Sequence, residues 1–388
     1  MRVRNRIFLG VAVALIISLA ILHSRYPLPY IYQVFVYQSP DYSDFEMFPA
    51  SQIPQSGSPS SLPVAPDPSV VRLIEAQPGI ESIEGFLTAT DTTAFLVLHD
   101  GELVLERYLK GHSESSAENT FSVSKSITSA LVGLAIRDDY LRLESPITEY
   151  LPELLARDPQ FRDVTIESLL NMRSGIRYVD GIEFPFFNSD DPLSYYYPKL
   201  ETILLERTLI EAPPGEFQYN KYNPQFIGLA LSRSADMTVS EYLGQALWKP
   251  MGASYVAGWN TDDHGLERME SGFFARARDL ARFGLMYLND GEVEGRQVIP
   301  KEWVQISTDT PKHIVLENYD GRTWGYRLGW WIVPRPEGPS DYCGIGHFGQ
   351  FVYVSPQYKA VFVRNGPGRG EWGDRDWTQL FHNLAQQL

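Results

Sequence analysis

Ser122 and Lys125 stand three positions apart in the run FSVSKSITSALVG, residues 121–133. On a helix that spacing puts the two side chains one turn apart on the same face, so the amine can reach the hydroxyl. A serine hydroxyl is a weak nucleophile until a base takes its proton, and a lysine whose ammonium is destabilised by burial can be that base. Asn119 or Thr120 would cap such a helix and place Ser122 in its first turn. There the unpaired N–H groups and the positive helix end favour a developing oxyanion. Taken alone, the pattern also fits an amphipathic helix with small polar residues at Ser124, Ser126, Thr128 and Ser129.

Two further stretches can supply the other groups that acyl transfer needs. In PPGEFQYNKYNPQFIG (213–228) a Pro-Gly turn delivers Tyr219 just before an apolar helix, so its phenol can point into a cleft. A phenol acidified by a nearby lysine can shuttle the proton. In CGIGHFGQFVYVSP (343–356), Gly344, Gly346 and Gly349 match G-x-G-x-x-G, but the following QFVYV reads as a strand and not as the helix a dinucleotide site requires. The better reading is a glycine-permitted close approach of a strand to a substrate, with the Gln350 N–H donating to an oxyanion and His347 as a polar wall. Cys343 reads as a buried small residue, not as a partner of His347. The run ESLLN (167–171) fits E-x-x-L-N, yet its surroundings read as a helix ending at Ser174-Gly175. No H-E-x-x-H, no G-x-S-x-G and no metal-spaced His or Cys cluster occurs, so neither a metal nor an organic cofactor is implied.

These groups need elements to carry them. TAFLVLHDGELVLERYL (93–109) alternates apolar residues around Asp100-Gly101, a hairpin signal. From about 140 to 310 the pattern is mostly helical, including 223–235, 238–252 with a Thr238–Glu241 capping box, and 275–291. Strand character returns in RLGWWIV, QFVYVSP and KAVFVRNG, and the chain finishes on a helix with Trp377, Phe381, Leu384 and Leu388 on one face. Strands at both ends around a helical middle predict an α+β fold: one sheet assembled from the two ends, flanked by helices, with an inserted helical lobe.

The chain is 388 residues long and carries a net charge of -15. A body that acidic repels phosphate backbones, which argues against nucleic acid as a partner. Arg2, Arg4 and Arg6 precede Ile7–Leu22, which holds no charge; residues 1–25 therefore read as a membrane anchor, or as a removed signal with Ser18 and Ala20 at the cleavage site. Either way the body is expected outside the cytoplasm, held at the inner membrane in the periplasm if the segment stays. Residues 26–69, aromatic and then rich in Pro and Ser, read as a linker, which places the hydrolytic domain at 70–388. The single cysteine excludes an internal disulfide.

In order, Ser122-Val-Ser-Lys125, LLNMRSGI, Pro214-Gly215 leading to Tyr219, ARARDLARFGLMYL and Gly346-His347-Phe348-Gly349 resemble the serine β-lactamase and penicillin-binding-protein superfamily. The resemblance is to its class C-like branch, which includes D-Ala-D-Ala peptidases, esterases and nylon-oligomer hydrolases. It implies an antiparallel sheet with flanking helices, Ser122 as acylated nucleophile, Lys125 and Tyr219 as the base pair, and the N–H groups of Ser122 and Gln350 as oxyanion hole. Asn220, Lys221, His347 and Gly349 fall where the family binds substrate. Two departures stand out: Lys221 replaces the asparagine of Y-x-N, with Asn220 one position early, and His347 replaces the lysine of K-T-G. A fixed cation is what grips a β-lactam or peptide carboxylate. Its loss favours an ester or amide substrate over a β-lactam or D-Ala-D-Ala peptide, unless Lys221 supplies the charge; a silent cell-wall ligand receptor on the same fold is the non-enzymatic alternative.

Overall fold

The computed structural model describes residues 13, 17–182, 186–309, 315–319, 322–335 and 338–388. The first sixteen residues, apart from Val13, lie outside this set, and with them most of the expected anchor or signal. Among the described residues no helix is long and apolar enough to cross a membrane.

The two ends of the chain build one sheet, as their strand patterns require. Strands β2 (Ala94–His99) and β3 (Glu102–Tyr108) form the hairpin around Asp100 and Gly101, both at positive φ as a two-residue turn demands. β2 pairs with β14 (Ala360–Asn365), followed by β13 (Gln350–Ser355), β12 (Asp341–Gly346), β11 (Trp330–Val333), β10 (Arg322–Arg327) and β9 (Val315–Tyr319), all antiparallel. The central strands read as unbroken apolar runs because both faces are covered. Leu96, Leu98, Val352, Val354, Val361 and Val363 enter one core, while Phe95, Val97, Phe351, Tyr353 and Phe362 enter the other with Trp377, Phe381 and Leu384 of the terminal helix Asp374–Ala385. Cys343 is buried in that second core, which pushes its thiol pKa well up.

The helical lobe contains the expected helices at Tyr222–Ala235 and Ala277–Leu288, and the Thr238–Glu241 capping box. A smaller sheet, not foreseen from the sequence, ties the lobe down: β1 (Ala50–Ile53), β5 (Ala257–Asn260), β6 (Phe273–Ala275) and β4 (Glu118–Asn119), in the order β1-β5-β6-β4. A two-residue ribbon, β7 (Glu292–Val293) with β8 (Arg296–Gln297), completes the strands.

The linker expected over 26–69 is packed on the body instead. Helix α1 (Leu28–Tyr37) buries Tyr30, Ile31 and Val34; Phe48 and Ile53 join the main core; and Val64 bridges Leu103 at the edge of β3. Tyr42 donates to the buried Glu118, which also accepts from Thr93 at 2.9 Å and lies 2.9 Å from His112 Nδ1. A few large apolar side chains and one buried carboxylate anchor a segment whose composition is otherwise that of a spacer.

Candidate active site

Ser122 sits in a 3-10 turn, Phe121–Val123, that leads into helix α2 (Ser124–Arg137). The turn is fixed on both sides. Asn119 Oδ1 accepts from the Phe121 N–H at 3.1 Å and holds Phe121 at φ 46°, Thr120 Oγ1 donates to the Phe273 carbonyl at 2.6 Å, and the Phe273 N–H donates to Ser124 Oγ at 3.2 Å. Ser126 Oγ donates to the Gly329 carbonyl at 2.9 Å. Ser124 and Ser126 therefore fasten the helix to the small sheet and to the turn before β11, whereas Thr128 bonds back to the Ser124 carbonyl within the helix.

Lys125 points back one turn. Its Nζ donates to Ser122 Oγ at 2.8 Å and to the Glu270 carbonyl at 2.7 Å. The side chain is buried, and desolvation lowers its pKa to about 7, against the pull of the Glu270 carboxylate, which raises it. Near neutrality a large fraction of the amine is therefore unprotonated and able to accept the serine proton. The Tyr219 ring lies under the same amine, 4.9 Å from Nζ to ring centroid, and its phenol interacts with the Ser122 hydroxyl. Trp331 stacks on that ring at 5.7 Å and 24°. The phenol is not acidified as the sequence suggested: burial drives its pKa up to about 12, outweighing the nearby Ser122 hydroxyl and the Lys221 charge. It stays protonated at neutral pH and can only donate or relay.

Ser122 and Tyr219, with Lys125 buried behind them, open on a cavity of about 360 Å³ lined also by Lys221, Glu270, Trp331 and His347 together with Ile345, Gly346, Asp191 and Arg369. Of the four residues expected at the substrate, two line it and two do not. Asn220 is buried with its amide spent on the scaffold, donating to the Ile176 carbonyl at 2.8 Å and accepting from the Tyr222 N–H at 2.9 Å. Gly349 closes a tight turn at φ 79° and is absent from the cavity wall. Lys221 reaches the cavity but is paired, 2.5 Å from Asp191 Oδ1; burial disfavours its charge, and Asp191 more than offsets that, raising its pKa. His347 also lines the cavity, but desolvation, then Lys221 and Arg369, lower its pKa, so it is not a fixed cation.

The strand that meets the Ser122 turn is β12, not β13. Gln350 is fully buried, with its side-chain amide donating to the His347 and Gly366 carbonyls and accepting from Asn365, and it does not line the cavity. β11 pairs with β12 only as far as Cys343, so Ile345 and Gly346 have no strand on that side and line the cavity there. The glycines do permit a close approach, to the nucleophile turn: a Cβ on Gly346 would lie 2.2 Å from the Thr120 carbonyl oxygen, and one on Gly344 2.9 Å from Ser126 Oγ. The G-x-G-x-x-G run thus joins two antiparallel strands and carries no nucleotide site. ESLLN is likewise structural: Asn171 Oδ1 accepts from the Leu328 N–H at 2.9 Å, and neither it nor Glu167 lines the cavity.

A family model described as Beta-lactamase matches residues 81–382. The chain belongs to the β-lactamase family. A 6-aminohexanoate-dimer hydrolase of Paenarthrobacter ureafaciens is 27% identical over 344 residues, 84% of each chain. A Bacillus anthracis structure provisionally named a 6-aminohexanoate-dimer hydrolase superposes with a TM-score of 0.77 at 24% identity, covering 89% of this chain and 93% of its own. A class C β-lactamase in complex with cefoxitin gives a TM-score of 0.59 at 14% identity, covering 82% and 99%. The chain is accordingly a hydrolase of the serine β-lactamase and penicillin-binding-protein superfamily, and the α+β architecture expected from its strand and helix pattern is that of the superfamily.

Sequence reasoning missed Glu270, Asp191, Trp331, Ile345 and Arg369. Asp191 lies in the aromatic-rich stretch 178–198, which contributes Ile182, Asp191 and Tyr195 to the cavity wall.

Proposed function

We propose that the protein hydrolyses a small ester or open-chain amide through an acyl-enzyme on Ser122. The observation that carries this reading is the 2.8 Å contact between Ser122 Oγ and a buried Lys125 amine whose pKa falls to about 7. Neutral Lys125 takes the hydroxyl proton as Ser122 Oγ bonds to the substrate carbonyl carbon. The oxyanion forms against the Ser122 N–H and the unpaired edge of β12 at Ile345 and Gly346, in place of Gln350. Collapse breaks the bond to the leaving group, which takes its proton from the Lys125 ammonium through the Tyr219 phenol. Water then attacks the ester carbonyl, passes its proton back along the same pair, and frees Ser122.

Two features support ester or amide over β-lactam. Lys221 is committed to Asp191, and His347 is held toward its neutral form, so neither offers the uncompensated cation that a β-lactam carboxylate needs. Amide hydrolysis by the Paenarthrobacter relative points the same way. The arginine-flanked apolar segment at 2–22 supports a body exported to the periplasm, anchored or secreted.

Intact-mass labelling with a fluorophosphonate tests the nucleophile: wild type gains one adduct and Ser122→Ala none. A panel of p-nitrophenyl esters, aminohexanoate dimers, nitrocefin and D-Ala-D-Ala peptides then ranks substrates, with the first two expected to turn over fastest. Absence of an adduct on wild type would favour the silent receptor.

A further inference from the structure

No charged residue occurs between Tyr26 and Pro40, the stretch that contains α1. One face of this helix packs inward: Tyr30, Ile31 and Val34 are buried, and Tyr30 meets Phe187 and Tyr197. The opposite face is just as apolar and lies open, with Leu28, Tyr32, Phe35 and Val36 exposed by 54%, 61%, 42% and 50%. Their spacing of i, i+4, i+7 and i+8 makes them one continuous stripe along the helix. A helix that is apolar all round belongs in an enclosed setting, and only half of this one is enclosed by protein.

The chain leading into the helix indicates what covers the other half. Ile17, Leu19 and Ile21 are also largely exposed, and the uncharged run Ile7–Leu22 to which they belong follows three arginines. Tyr26, Tyr32 and Tyr37 recur along the helical segment, the residue type that settles where acyl chains meet headgroups. The stretch holds no carboxylate that an anionic headgroup would repel, and Arg25 adjoins it.

We propose that α1 is an interfacial helix that lies in the plane of an anionic bilayer, with Leu28, Tyr32, Phe35 and Val36 among the acyl chains and Tyr30, Ile31 and Val34 holding the hydrolase against the surface. The cleft is thereby set beside the membrane, because the helix and the cleft share a wall. Phe35 contacts Phe186 and Phe187, close in sequence to the cavity-lining Ile182, and Pro40, three residues beyond α1, lines the same cavity.

The chain has one cysteine, and it is buried, so a thiol introduced at the surface can be labelled selectively. Full-length Tyr32→Cys and Phe35→Cys, each carrying an environment-sensitive dye, are mixed with vesicles of phosphatidylcholine and phosphatidylglycerol. Blue-shifted emission, and its loss when doxyl-labelled lipid is included, is expected at both positions and not at Glu302→Cys, an exposed site on another helix. Hydrogen exchange on the unsubstituted chain provides a check independent of labelling: amides 28–37 should gain protection when vesicles are added. The proposal is overturned if the protein floats with vesicles while both dyes stay in water, since the preceding segment alone would then hold the membrane. It is equally overturned if the shift appears without vesicles, from a second copy or from residues 7–22 folding over the stripe, or if no vesicle binding occurs. None of these readouts involves Ser122, so the hydrolase assignment is tested separately.

Discussion

At the residue scale the decisive group is Lys125. In the proposed mechanism its neutral form is the active one, so kcat/KM should rise with pH through about 7 and fall roughly tenfold per pH unit below that. No opposing limb is expected in the accessible alkaline range, because the Tyr219 phenol is held up near 12. Glu270 tunes this limb. Its carboxylate favours the Lys125 ammonium, so Glu270→Gln should lower the lysine pKa further and move the limb to more acid pH, with Glu270→Asp restoring its position. A pH–rate profile on a p-nitrophenyl ester distinguishes this from simple loss of structure, which would lower the rate without moving the limb. Ser122, Lys125 and Tyr219 were legible as a set because their chemistry is written in local spacing and in ordered blocks. Glu270 and Asp191 were not, because a carboxylate becomes distinctive only through what surrounds it. The same holds for the tyrosine pKa: proximity to a lysine suggested a fall, and enclosure by Trp331 and Tyr326 reverses the sign.

At the element scale, the proposed chemistry depends on β12 lying directly over the Ser122 turn. Gly346→Ala would place a methyl group where the Thr120 carbonyl stands, forcing strand and turn apart. Such overpacking costs about 1–3 kcal/mol, and here it also displaces the donors facing the oxyanion. The expected result is a lowered urea midpoint with a larger proportional loss in kcat than in KM; unchanged kinetics would show that the strand edge plays no part. The hairpin at Asp100-Gly101, the principal helices and strands β11, β13 and β14 were readable from periodicity and turn residues; β12, whose run DYCGIG is broken by glycines, was not. The short strands β1, β4, β5 and β6 were not, since two to four residues carry too little alternation to register. The misplacement of the oxyanion donor on Gln350 has a related cause: the motif was legible, but where the strand ends and the turn begins depends on pairing with β11 and β13.

At the scale of the whole molecule, residues 26–69 are a strap and not a spacer. The strap is bolted through Tyr42 to Glu118, a carboxylate buried at the root of the nucleophile turn. Tyr42→Phe removes one hydrogen bond to a charged group and should cost about 1.5–3 kcal/mol in denaturant unfolding, while fluorophosphonate labelling of the folded fraction persists. Composition concealed this because Pro and Ser dominate the stretch, whereas its attachment rests on a handful of side chains. The strap and the sheet also impose an order of events. β1 must wait for β5, some two hundred residues downstream, and β2 must wait for β14 near the end of the chain. A ribosome therefore releases about two-thirds of the polypeptide before β1 can find its mate, and nearly all of it before the β2–β3 hairpin gains its neighbour β14. The growing chain is without hydrolytic power throughout its synthesis, and the enzyme comes into being only when its last strand arrives.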